Sequence, residues 1–425
     1  MKNTANRNRL EKKAMKNRNV STQSLYSVAV GFLAMLMAVS ASAQQKTIFR
    51  FNPTTGIQPA NSLVSDGEGH LYGVTSIGGN RSCLYKGCGL VFELSSGTGN
   101  TWTEKIIYPF VGGSSDGAIP LTDLIFDGKG NLYGATANPS SVYELTPNAN
   151  GKWTEKVLYL FPNQEGYDPG SRLAFDSKGN IYGTLRRGGV SDGEVFELTP
   201  QSNGTWKESV LYGFTGSNGD GNTPYGGVVL DAKGNIYGTT QIGGASNYGT
   251  VYRLSPNGSG GFTETILYNF TGQADGGYPA APLTMDAAGN LYGTTSLSNV
   301  DTHSTVFELS PTGTTWKETI LYTFAGTSDG SYPSGVVFDA QGNLYGTTQN
   351  GGSGCNSPGC GTVFKLKPQS SGLWQETIVH QFESSDDGSV SMGNILIDNS
   401  TGHAYGTTQF GGGRNGYGTV FQVGP

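Results

Sequence analysis

The chain has 425 residues, of which 35% are hydrophobic, 11% aromatic and 67 glycine, with four cysteines and a formal charge of −6. The acidic balance argues against binding to phosphate backbones or anionic membranes, for which a basic patch is the footprint. The glycine content is high, but the glycines recur at fixed places beside aromatic residues, unlike the scatter of a disordered chain.

The N-terminus opens with seven Lys and Arg up to Arg18, followed by an apolar run from about Leu25 to Val39 and by Ala41-Ser42-Ala43. A basic segment, a short apolar segment and an A-x-A site read as a secretory signal peptide over residues 1–43, with Met15 as an alternative start. The apolar run is shorter than the ~20 residues of a bilayer span, so cleavage near Ala43 and export to the periplasm or outside the cell are expected. Cleavage removes seven basic residues and one acidic residue, leaving a mature chain at −12. No later run is apolar and long enough to span a bilayer.

From Thr47 onward one phrase repeats seven times, centred on Tyr72, Tyr133, Tyr182, Tyr237, Tyr292, Tyr345 and Tyr405, at spacings of roughly 49 to 61 residues. The copy around Tyr345 reads as four strands. An apolar run, Gly335 to Phe338, leads through an Asp339-Ala-Gln-Gly-Asn343 turn into Leu344–Thr348, then a Gly/Ser-rich loop, then Thr362–Leu366, and finally Trp374–Phe382. In the last, Trp374, Glu376, Ile378, His380 and Phe382 fall on one face by the strand period of two. Four antiparallel strands per repeat, seven times over, predict an all-β, seven-bladed β-propeller occupying residues 44–425 as one domain. The ends support a closed ring. Thr47-Ile-Phe-Arg-Phe51 matches a fourth strand, whereas the chain finishes on Gly418–Val423, a third strand, so the N-terminal strand is expected to complete blade seven.

The cysteines form two C-x4-C pairs, Cys83/Cys88 and Cys355/Cys360, in the same loop of repeats 1 and 6. In an exported chain each pair predicts a local disulfide; a zinc site would need the two pairs to meet.

The units D-x-x-G-N-[LI]-Y-G-T-T, G-T-V-[FY]-x-L and W-x-E-x-x-L-Y-x-F resemble the GloVer (Gloeo-Verruco) tandem-repeat family over essentially all of residues 47 to 423. The resemblance implies an exported bacterial protein with one of a choice of anchors, although no sorting signal or membrane tail follows Val423. It carries over no catalytic residues.

Candidate sites must therefore come from the loops between the outer strand and the next inner strand, and between the second and third strands, which open on one face of a propeller. The first set carries Asp116, Asp220, Asp275, Asp329 and Asp387, each followed by Gly, with Asp168 as a Pro-Gly variant. Asp-Gly is turn chemistry; alternatively, a ring of carboxylates would suit Ca²⁺ or sugar hydroxyls. No other cofactor is expected. The second set carries residues that differ between repeats, including Arg81, Lys86, Arg186, Arg187, Tyr248 and Arg414, where specificity would be written. Its glycine pairs, Gly188-Gly189 among them, lack the context of a phosphate loop. The repeated Trp-x-Glu (Glu104, Glu155, Glu208, Glu264, Glu318, Glu376) predicts a structural hydrogen bond or cross-strand pairing on the outer strand. The four histidines share no ligand spacing, and no nucleophile, base and orienter can be named. The reading is a monomeric binding module for an extracellular glycan, peptide or protein, without nucleic acid. A polysaccharide hydrolase or lyase with a pocket at the channel mouth is the alternative.

Overall fold

The computed structural model describes residues 45–424 apart from 60, 80–82, 84–85, 163–167, 188–191 and 297–302. The predicted signal peptide, Arg81 and the Gly188-Gly189 pair lie outside the described residues. Seven sheets of four antiparallel strands follow one another along the chain as the blades of a propeller. Blade 2 is representative, with an inner strand Ile125–Phe126, a second strand Leu132–Ala137, a third strand Ser140–Pro147 and an outer strand Trp153–Leu160. Among the described residues there is no α-helix.

The repeated phrase is explained residue by residue. Asp127 caps its own hairpin: Oδ1 accepts from the backbone N–H groups of Lys129 and Asn131 at 2.8 and 2.9 Å, and Oδ2 from the Asn131 side chain at 2.8 Å. Gly130 between them sits at φ +86°, a conformation that disfavours a side chain. The same bonds recur at Asp176, Asp231, Asp286 and Asp339. The glycine after the motif tyrosine has a different reason. A Cβ on Gly293 would stand 2.5 Å from the tip of the Phe307 ring, so the third-strand aromatic reaches bare backbone at this glycine. The threonines that follow link strands, as in Thr295 Oγ1 to Thr305 Oγ1 at 2.8 Å.

The hydrophobic core is divided into clusters between neighbouring blades. One joins Tyr237, Val251 and Phe270 of blade 4 to Leu291, Phe307 and Leu309 of blade 5. The outer strands depart from the expected single face. Each carries a β-bulge, between Val142/Tyr143 and their partners in blade 2, so the pairing jumps from Val157 to Tyr159. The bulged residue, Leu158 here and Ile107 or Leu321 elsewhere, turns into the inter-blade core and is buried. Period-two counting missed this because the extra residue reverses the faces.

Ring closure follows the sequence expectation. Gln45–Arg50 pairs antiparallel with Thr419–Val423, from Gln45 opposite Val423 to Arg50 opposite Thr419, and supplies the outer strand of blade 7. Ile48 and Phe51 then pack with Leu71 and Phe92 of blade 1 and Val420 of blade 7. Cys83–Cys88 and Cys355–Cys360 are disulfide-bonded, with Cα atoms 5.2 and 5.6 Å apart.

Candidate functional site

A cavity of about 690 Å³ is lined by residues from all seven blades. Part of its wall, Ser62, Asp123, Pro282, Asn394, Tyr278 and Tyr332, comes from two columns of equivalent positions that the repeat holds in place but does not fix in identity. One column precedes the inner-strand aliphatic residue and reads Ser62, Asp123, Arg172, Gly227, Pro282, Gly335, Asn394 around the ring. A second precedes the loop proline or its equivalent and reads Gln58, Ile119, Asp168, Thr223, Tyr278, Tyr332, Val390.

The backbone of the second column is clamped on both sides. Tyr278 N donates to Tyr248 O at 2.8 Å and Val390 N to Cys360 O at 3.0 Å, while Thr223 O accepts from Gln241 N at 2.9 Å. These clamps hold Gln58, Ile119, Thr223, Tyr278, Tyr332 and Val390 at φ between 56 and 58°. That region is costly for any side chain and most so for β-branched ones. Fixed flanks therefore hold strained, dissimilar residues in this column, and two of them, Tyr278 and Tyr332, line the cavity.

The contents are unevenly distributed. On the side of blades 3 and 4, Arg186 Nη2 is 2.8 Å from Asp168 Oδ2, and the guanidinium lies 4.5 Å from the centre of the Tyr225 ring. On the side of blades 5 and 6, Tyr278 and Tyr332 stand beside Ala280, Ala281, Pro282 and Pro333. Gln241, Gln349 and Gln409 come from the ends of the second strands of blades 4, 6 and 7. Asp123 is buried, accepts from Ser62 N at 2.8 Å, and its own N–H donates to Ser171 O at 2.8 Å. Burial pushes its carboxyl up from the ordinary range, against the lowering effect of Arg172 and of hydrogen bonds from Ser62 and Asn61. Asn394 is also buried, with Oδ1 lacking a partner.

Of the residues singled out from the sequence, Arg186 lines this cavity, and Tyr248 packs edge-on against Tyr278 with ring centres 5.4 Å apart. Arg187 and Arg414 are exposed and do not line it. The five aspartates occupy five separate loops, and none lines the cavity. Asp275 accepts from Thr271 N at 2.8 Å and from Tyr268 OH at 3.1 Å, Asp220 from Thr215 N at 2.7 Å, and Asp329 from Tyr322 OH at 3.1 Å. Asp116 takes the hydroxyl of Tyr108 and the N–H of Val111, and Asp387 lies 2.8 Å from His380 Nε2. The glycine after each Asp is required by a close approach: a Cβ on Gly276 would meet Thr295 Oγ1 at 2.1 Å.

The Trp-x-Glu carboxylates lie between blades. Tyr159 OH donates to Glu208 Oε2 at 2.7 Å, but the hydrogen bond expected of the others is not made by Oε1 of Glu104, Glu155, Glu264, Glu318 or Glu376, which is buried without a partner. Burial, with the nearby Asp116, Asp220, Asp275 or Asp329 as a second cause for four of them, pushes these acids up to about 7, and Glu155 to about 8. In blade 7 the equivalent position opposite Val423 is Gln45.

The sequence reading did not single out Asp123, Tyr278, Tyr332 or Asn394. Their signal was present as columns that vary while both flanks stay constant, and it appears when the repeats are aligned on Pro and Asp.

Among solved structures, the extracellular domain of a one-component-system candidate from B. thetaiotaomicron is 12% identical with a TM-score of 0.55, covering 89% of this chain and 42% of that one. A protein from Lactobacillus plantarum is 11% identical with a TM-score of 0.53, covering 82% and 98%. The PQQ-bound aldose sugar dehydrogenase of Streptomyces coelicolor is 12% identical with a TM-score of 0.45, covering 72% and 93%. For the first two the likeness is one of fold. No curated protein matches the chain in sequence. The Gloeobacter/Verrucomicrobia repeat model matches residues 138–296 and 259–425, which include the Asp-x-x-Gly-Asn hairpins and Tyr-Gly-Thr strands described above. The chain belongs to the Gloeobacter/Verrucomicrobia repeat family.

Proposed function

We propose that this protein is an exported binding module that takes its ligand at the loop face, in the axial cavity. The observation that carries this reading is the contrast within each repeat, where constant hairpins and inter-blade contacts flank columns that hold Asp, Arg, Tyr, Asn or Gly according to the blade. A scaffold alone needs no such variation. A polysaccharide hydrolase would need two carboxyl groups across the scissile bond. Among the described residues lining the cavity, Asp123 is the only carboxylate, so binding without turnover is the better account. The two disulfides agree with an oxidising compartment, and no helix among the described residues is long and apolar enough to cross a membrane. The test is a glycan and peptide array probed with secreted protein, together with its Arg186→Ala and Tyr332→Ala variants. Cavity binding predicts hits that both variants weaken. Hits that survive both place recognition elsewhere, secreted material still containing residues 20–40 by mass spectrometry would remove the cleavage reading, and protein found only in the cytoplasm would remove the export reading.

A further inference from the structure

Resting on that reading, we infer that the cavity ligand is a short, neutral carbohydrate. The first argument is size. About 690 Å³ lies within the range of pockets that enclose small ligands, and it is too small to receive a folded protein surface.

The second argument is charge. Although the mature chain is strongly acidic, the charged residues among the described residues lining the cavity, Arg186 and Asp123, are both already engaged. Arg186 is already joined to Asp168 at 2.8 Å and covered on one face by Tyr225. Asp123 is buried among hydrogen-bond donors from Ser62 and Asn61 and disfavours its charged form. A cationic or anionic ligand would have to break one of these arrangements, whereas a hydroxyl can both accept from a guanidinium and donate to a carboxylate. Paired planar groups of this kind match neighbouring hydroxyls on a sugar ring. The glutamine amides at second-strand ends, each with a donor and an acceptor, offer the same match.

The third argument is the wall formed by blades 5 and 6. Tyr278 and Tyr332 come from adjacent blades, both at φ close to 57°, and share this part of the lining with Ala280, Ala281, Pro282 and Pro333 as well as Ser296, Ser334 and Gln349. A pyranose has an apolar face of C–H groups and a rim of hydroxyls, and this cavity offers tyrosine rings together with amides and a neutralised ion pair. Tyr278 is further held by Tyr248 behind it, so the ring is fixed before ligand arrives, which lowers the entropy lost on binding.

The experiment is calorimetry on the secreted protein with gluco-, galacto- and manno-configured neutral di- and trisaccharides, the matched uronic-acid oligosaccharides, and tripeptides. At least one neutral sugar is expected to bind, its uronic counterpart about tenfold more weakly or worse, and the Tyr278→Ala and Tyr332→Ala variants to lose about tenfold each while retaining the parent melting temperature within a few degrees. Arg186→Ala should lose affinity for the neutral sugar without gaining any for the acid. Uronic acids binding as tightly as neutral sugars would overturn the inference, as would binding to none of the panel. Tripeptides that bind in a Tyr332-dependent way would overturn the carbohydrate assignment and leave the cavity reading standing. A sugar that binds indifferently to all three substitutions would remove both.

Discussion

The junctions between blades and the cavity on the axis are built from the same repeats, yet they spend their sequence in opposite ways. At the junctions almost every position is fixed. Phe270 lies against Phe307, Phe324 against Phe364 and Phe382 against Phe421, all edge-on with centres between 5.0 and 5.2 Å. At the axis the backbone is equally well fixed, but the side chains differ from blade to blade. Stability and recognition are therefore separated by radius, and mutations should divide the same way.

The largest effect is expected from deleting residues 45–51. This removes the strand paired with Thr419–Val423 and also Ile48 and Phe51 from the core between blades 7 and 1. The exposed third strand becomes an open edge, so the truncated protein should aggregate or melt at least ~10 °C lower by calorimetry. Next is Phe270→Ala. Removing a fully buried aromatic ring costs about 3–5 kcal/mol, and the equivalent changes at Phe324 and Phe382 should cost about the same if the junctions are interchangeable. Chemical denaturation of the three variants checks this, and a wide spread among them would break the comparison.

This junction framework was legible in the sequence because it repeats: seven copies of Asp-x-x-Gly-Asn and Tyr-Gly-Thr announce the hairpin and the strand, and the spare strand at Thr47–Phe51 announces closure. The outer-strand bulge was not legible, since a single inserted residue such as Leu158 leaves no mark in a pattern of alternating apolar residues. The axial site was legible only in part. Arg186 stood out as a charge in a glycine-rich loop, whereas Asp123 and Tyr332 emerge only when the repeats are aligned and the variable columns compared, and the ring then shows that they share a cavity. The five Asp-Gly pairs drew attention by repetition, and their hydrogen bonds to Tyr and backbone groups account for that repetition without a ligand.

A smaller effect should come from the inter-blade acids, and its sign is unusual. Glu104, Glu264, Glu318 and Glu376 hold a proton up to about pH 7, and Glu155 to about 8, whereas in the unfolded chain each gives it up near its ordinary value of 4.5. The folded state thus binds more protons between these limits, and stability should fall as pH rises from about 4.5 to 8. Below that window the hairpin carboxylates Asp66, Asp127 and Asp231, whose pKa values are lowered, reverse the slope as they become protonated. Melting curves across pH 4.5 to 9 should show the decline, and Glu318→Gln should flatten it, with a gain of about 1–2 °C at pH 8. Gln45 at the equivalent position in blade 7 shows that an amide fits there. A melting temperature that climbs from pH 5 to 8 would contradict the assignment.

The smallest stability effect is expected at the axis, and it should have the opposite sign to its effect on binding. Tyr332 sits at φ +56° because its N–H donates to Ser304 Oγ at 3.1 Å and because its neighbour Pro333 is paired opposite Thr348. A tyrosine in this region costs about 1–3 kcal/mol that a glycine would not. Glycine also adds freedom to the unfolded chain, which offsets part of that gain by about 0.4–1 kcal/mol. Tyr332→Gly should therefore leave the melting temperature unchanged or raise it by about 1–4 °C, while removing the ring from the cavity and weakening any ligand bound there. Tyr332→Ala makes the control, since it loses the ring but keeps the strain and should not gain stability. If Tyr332→Gly instead melts several degrees lower, the tyrosine contributes to holding the blades together, and the division between junction and axis fails at the position where it was most sharply drawn.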